Sequence, residues 1–155
     1  MIEISLLRFP KTGSYGPVRL GQTREQVRSH LGEPDDKGGV SRKYRRPAVW
    51  KYGDVQLFWP QREERLKAIV FYAFHAPSGE ILSGRKSIGL RPGLLRGGMV
   101  IYEALHMLDE AGIASREVDH WLDTHRVLET PPGVQLLFVD TSDWKGLYTI
   151  SLRRE

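Results

Sequence analysis

The chain opens on an alternation. Ile2, Ile4 and Leu6 are separated by Glu3 and Ser5, a period of two that predicts a strand over about 2–9. Lys11-Thr-Gly-Ser-Tyr-Gly-Pro17 is rich in breakers and reads as loop. Thr23 followed by Gln26 forms a capping box. The short helix it starts carries Leu20, Val27 and Leu31 on its apolar side and ends at Gly32 and Pro34. A polar loop over 35–46 leads to strands at about 48–52, 54–59 and 66–74, with Gly53-Asp54 as a tight turn between the first two. Residues 78–98 read as a Gly-rich link with one strand near 80–82. A helix over about 99–111 presents Ile101, Leu105 and Leu108 and stops at Gly112. Ser115 is the expected cap of a shorter helix carrying Val118, a buried Trp121 and Leu122. Strands at about 125–130, 134–139 and 146–153 close the chain.

The two halves resemble one another. Gly53-Asp-Val-Gln-Leu-Phe58 parallels Gly133-Val-Gln-Leu-Leu-Phe138, and Gly32 parallels Gly112. Leu66 and Leu147 each precede a final strand. This order predicts an α+β fold in one domain, 1–155. Two similar helix-plus-antiparallel-strand repeats, about 18–76 and 98–153, would form one mostly antiparallel sheet with helices on one face.

In the strand at 54–59, Val55, Leu57 and Trp59 point one way, Gln56 and Phe58 the other. In its counterpart, Val134, Leu136 and Phe138 share the first direction, with Gln135 and Leu137 on the second. The first set is the more apolar and is assigned to the core. The strands at 54–59 and 66–74 nevertheless carry apolar residues on both sides, unlike a half-exposed antiparallel strand. Either both faces are covered or one is a binding surface.

Charge divides the chain. Residues 1–77 hold 14 Lys/Arg against 8 Asp/Glu, whereas residues 78–155 hold 9 against 11. The segment 37–51 has Lys37, Arg42, Lys43, Arg45, Arg46 and Lys51 and no acid. Such a run is usually a solvated face; the alternative is contact with an oppositely charged partner. The absence of cysteine excludes a disulfide scaffold and thiolate chemistry. No apolar stretch approaches the ~20 residues a membrane helix needs. The N-terminus has no basic leader or cleavage site, which predicts a cytoplasmic protein.

The stretch Leu20-Gly-Gln-Thr-Arg-Glu-Gln-Val-Arg-Ser-His-Leu-Gly-Glu-Pro34, followed by Trp50-Lys-Tyr-Gly53, resembles the opening of the small outer-membrane assembly lipoproteins (SmpA/OmlA-like). In that family a helical hairpin precedes a three-stranded antiparallel sheet. The tandem form is similar to β-lactamase-inhibitory protein, whose two repeats make a concave sheet that grips an enzyme. The second half lacks the Gly-x-Thr and Gly-x-Pro marks, and the chain has no lipobox or cysteines. A cytoplasmic binder of this kind also looks like a bacterial toxin-immunity protein, an analogy of architecture that does not fix function.

Catalytic and metal motifs are weak. Asp119-His-Trp-Leu-Asp-Thr-His125 could juxtapose a histidine and a carboxylate, but no His-x-x-x-His or cysteine pair accompanies it. No Gly-x-Ser-x-Gly elbow is present, and Glu63-Glu64 and Asp35-Asp36 sit in loops. The segment 84–98 has five glycines, four bases and no acid, yet lacks a P-loop pattern. The expectation is a non-enzymatic protein without catalytic residues, cofactor or metal, which binds another protein such as a toxin or enzyme. Its expected contacts are Gln56, Phe58, Gln135, Leu137, Trp50, Tyr52, Trp144 and Tyr148, with Arg45 and Arg46 pairing acids of the partner; Trp59 and Tyr72 are further aromatic candidates. The alternative is nucleic-acid or phosphate binding through 37–51 and 84–98, using Tyr44 and Trp50 as stacking platforms.

Overall fold

A computed structural model of the chain describes residues 2–39, 46–60, 62–72, 88–91 and 95–154. The expected strand near 80–82, most of the link 78–98, and Arg42, Lys43, Tyr44 and Arg45 lie outside the described residues.

The first strand is shorter than its alternation suggests. β1 spans Ile2–Ser5 and pairs in parallel with β6, Ile88–Arg91. The chain then turns into α1, Arg8–Thr12, whose Pro10 falls in the first turn, where a missing N–H costs no intrahelical bond. Gly13 closes α1 with φ of 74°. Helix α2, Arg24–Leu31, begins with the capping box: Gln26 N–H donates to the Thr23 hydroxyl and Thr23 N–H to the Gln26 side chain. Helix α3 spans Ile101–Glu110.

The other strands build one antiparallel sheet. β2 (Asp36–Gly38), β3 (Val49–Tyr52), β4 (Val55–Phe58) and β5 (Ala68–Tyr72) follow α2. β7 (Arg116–Val118), β8 (His125–Glu129), β9 (Gln135–Asp140) and β10 (Lys145–Arg153) follow α3. The order is β2-β3-β4-β5-β10-β9-β8-β7. Helices α2 and α3 are thus each followed by a four-stranded meander, and the meanders meet through their last strands, with Phe71 opposite Ile150. Gly53-Asp54 makes the two-residue β3–β4 turn, with Tyr52 paired to Val55 and Gly53 at φ of 61°.

One local device occurs twice. Gly21 N–H donates to Leu66 O (2.9 Å) and Leu66 N–H to Gln22 O (2.8 Å), immediately before the Thr23 cap. Gly98 N–H donates to Leu147 O (3.0 Å) and Leu147 N–H to Met99 O (2.8 Å), immediately before the Val100 cap. Gly21 and Gly98 both have positive φ, 93° and 81°. In each half this clasp fastens the entry of the helix to the chain at the start of the last strand.

The core lies between the helices and one face of the sheet. Phe9, Val27, Leu31, Ile101, Ala104, Met107 and Leu108 of the helices join Leu57, Trp59, Phe71, Leu136, Phe138 and Ile150 in one apolar cluster. Phe71 takes edge-on contacts from Phe9 (4.7 Å) and Tyr15 (5.4 Å).

The expected helix after Ser115 does not form. Residues 116–118 pair with β8 as an edge strand, and 119–124 are the β7–β8 loop. Sheet pairing overrides a weak three-residue spacing signal. Trp121 is consequently 82% exposed rather than buried.

Candidate functional site

Strand alternation and register define the second face of the large sheet. One row runs across all eight strands: Asp36, Lys51, Gln56, Val70, Ser151, Gln135, Glu129 and Arg116. To one side of it stand Val49, Phe58, Ala68 and Arg153. To the other stand Tyr72, Thr149, Leu137, Val127 and Val118. Apart from Val70 the central row is polar, and apart from Arg153 and Thr149 the flanking positions are apolar or aromatic.

The expected contacts divide between the two faces. Gln56, Phe58, Gln135 and Leu137 all fall on this second face. Gln135 is exposed and the other three are half-buried. Gln56 and Gln135 share one row, three strand spacings apart, about 14 Å. Ala68, Val70, Val127 and Val139 also belong to this face by alternation, and they are buried outside the main core cluster.

Trp50 and Tyr52 are not contact residues. They are 1% and 0% exposed and sit in the core with Trp59, itself buried. Trp50 lies 5.0 Å from Trp59, and the Tyr52 hydroxyl donates to Gly32 O at 2.8 Å. Alternation around Lys51 carries the signal: a lysine on the second face sends Trp50 and Tyr52 to the first. Tyr72 is half-buried, in the row beside Thr149. Trp144 and Tyr148 are half-buried at the start of β10, with rings 6.2 Å apart in an edge-on arrangement. The Trp144 indole N–H donates to Leu147 O (3.1 Å), and Tyr148 occupies the irregularity between Leu147 and Thr149.

The basic segment is largely neutralised within the chain where it is described. Lys37 pairs with Glu33 (3.1 Å) and stands 5.1 Å above the Trp50 ring. Lys51 reaches Asp36 at 4.0 Å, and Arg46 pairs with Glu64. The Lys37 hydrogen bond holds the Glu33 carboxyl below the usual range.

Polar groups at the β7 end are similarly matched. Arg116 donates to Glu129 (2.9 Å), which also accepts from Gln135 (3.1 Å). On the opposite side of β8, Arg126 grips Glu117 through two bonds of 3.0 and 2.6 Å. Hydrogen bonds from Arg116 and then Gln135 depress the Glu129 carboxyl, and Arg126 depresses Glu117. A depressed carboxyl contributes stability that is complete above its unfolded pKa and is lost as pH falls through its folded one. Thermal stability should therefore decline below about pH 4.5, the ordinary glutamate value. Glu129→Gln should flatten part of that decline; an unchanged acid slope would show that the pair stabilises nothing.

Catalytic geometry is thin. Among the described residues no group of three His, Cys, Asp or Glu side chains converges to hold a metal. His120 Nδ1 accepts from Leu122 N–H (3.0 Å), which engages the lone pair of that nitrogen. A groove of about 540 Å³ beside β1 and α1 presents Glu3, Arg8, Thr12 and Ser14 without a nucleophile–base pair. No helix among the described residues is long and apolar enough to cross a membrane. Comparison with protein-family models, with curated proteins and with solved structures returned no match.

Proposed function

We propose that the chain is a non-enzymatic cytoplasmic binding protein of the bacterial immunity type, built from two copies of one helix-plus-meander unit. It recognises a partner protein through the second face of its sheet. The single observation that carries this reading is that face itself: half-buried Phe58 and Leu137 stand beside a mostly polar row, and all of them lie outside the main core cluster. Glutamines among apolar side chains give directional hydrogen bonds without titrating, which suits a protein contact better than a catalytic pocket. The repeat is supported by the duplicated clasp and by the matched order of helix and strands in each half. The similarity to tandem SmpA/OmlA-like units belongs to the same proposal and rests on residues 20–34. Binding of nucleic acid through 37–51 is the weaker reading, since Lys37, Arg46 and Lys51 already meet acids of the chain.

Phe58→Asp tests the proposal. Phe58 lies outside the core cluster, so the variant should melt close to the parent. Its affinity for a partner protein recovered from the source lysate should fall by about 2 kcal/mol, roughly thirtyfold, as for an interface hot spot. Undiminished affinity, or an unfolded variant, would overturn the assignment of the face. Retention of a labelled oligonucleotide that weakens steeply with salt would favour the nucleic-acid reading instead.

A further inference from the structure

The loop between β7 and β8 holds the most exposed large aromatic among the described residues, Trp121. It is not a loose side chain. Its indole stacks on His120 (5.7 Å, 20° between planes), and His120 stacks on His125 at the start of β8 (4.9 Å, 17°). The ladder is fixed at its base: His120 Nδ1 accepts from Leu122 N–H, and His125 Nδ1 lies 2.9 Å from the Thr124 hydroxyl. The adjoining β9–β10 loop is tied to it by Asp140 N–H donating to Thr124 O (2.8 Å). Both loops and the end of β9 are acidic, with Asp119, Asp123, Asp140 and Asp143 all exposed. Asp140 pairs with Lys145 (2.8 Å); Asp119, Asp123 and Asp143 enter no ion pair among the described residues.

We propose that this end of the sheet is the docking site for an arginine-bearing segment of the partner protein. A preorganised indole face is the strongest cation–π surface a protein offers, and holding it rigid in advance reduces the entropy cost of binding. Carboxylates around it supply the complementary charge and repel nucleic acid and anionic lipid. A guanidinium can stack on the ring and fork to a carboxylate at once, so arginine is preferred over lysine. A second copy of this chain is the poorer occupant. The described bases of its basic segment, Lys37, Arg46 and Lys51, already meet acids of their own chain.

This inference rests on the binding-protein reading but is tested apart from it. The full chain is titrated with an arginine–glycine repeat peptide, followed by calorimetry, with lysine–glycine and glutamate–glycine peptides of equal length as comparators. The arginine peptide should bind most tightly and the glutamate peptide not at all. Trp121→Ala should weaken arginine-peptide binding at least about tenfold, and Asp119→Asn with Asp123→Asn should weaken it and flatten its salt dependence. Absence of binding at low salt, equal affinity for the lysine peptide, binding indifferent to Trp121→Ala, or Trp121-dependent self-association would each overturn the proposal. Phe58→Asp separates the two readings. If it abolishes partner capture while the arginine peptide never binds, the sheet face stands and the loop site falls. If the peptide binds through Trp121 while partner capture ignores Phe58→Asp, the reverse holds.

Discussion

Gly146→Ala is expected to destabilise the protein by about 3–4 kcal/mol. Gly146 has φ of 100°, where an L side chain is strained. A Cβ at this position would lie 2.2 Å from Gly98 O, 2.4 Å from its carbonyl carbon and 2.7 Å from its Cα. Those are backbone atoms, and they are held by the clasp between Gly98–Met99 and Leu147. Relief of the clash must break the clasp. Two backbone hydrogen bonds at roughly 1 kcal/mol each add to a conformational cost of ~1–2 kcal/mol. Gly112→Ala is the control, since Gly112 also has positive φ (71°) but nothing lies within 4 Å of the point a methyl group would occupy. It should cost about 1 kcal/mol. Urea midpoints of the two variants measure the difference, and equal midpoints would mean that the close approach carries no energy.

The next largest effect is expected at Arg24. Its side chain is buried, with the residue 7% exposed, unusual for an arginine. Nε and Nη2 donate to Pro47 O at 3.2 and 3.0 Å, and Nη1 donates to Glu63 O at 3.3 Å. The guanidinium lies 5.1 Å from the Trp59 ring centre and 3.7 Å from Glu64. One side chain thus ties α2 to the segment entering β3 and to the β4–β5 connection. Arg24→Ala leaves both carbonyls short of a donor and uncovers the indole, a loss of about 3 kcal/mol. Arg24→Lys keeps the charge but not the fork, and should recover less than half. Thermal melts of both variants decide it; full recovery by lysine would show that charge, not geometry, holds the junction.

Arg24 also shows why part of the molecule is not legible in the chain. Nothing within Thr23-Arg-Glu-Gln26 marks it as buried, and its partners, Pro47 and Glu63, are distant in sequence. Trp121 misleads for a related reason. Val118, Trp121 and Leu122 imitate a helical stripe, but Arg116–Val118 finds a better partner in β8 and leaves the tryptophan at the loop tip. Residue type alone points Trp50 and Tyr52 to a contact surface. The alternation through Lys51 places them on the other face.

What the chain determined by itself was local or strictly periodic. The Thr23–Gln26 cap needs only residues three apart, the Gly53-Asp54 turn only two, and the opposing faces of β4 and β9 only a period of two. Each is decided within a few bonds, so composition and spacing suffice. The tertiary structure alone decided the pairing of β5 with β10, the burial of Arg24 and the exposure of Trp121. These depend on which distant segment reaches a given edge or carbonyl first. That choice is made by burying the core of both meanders at once, a condition no short window of sequence contains.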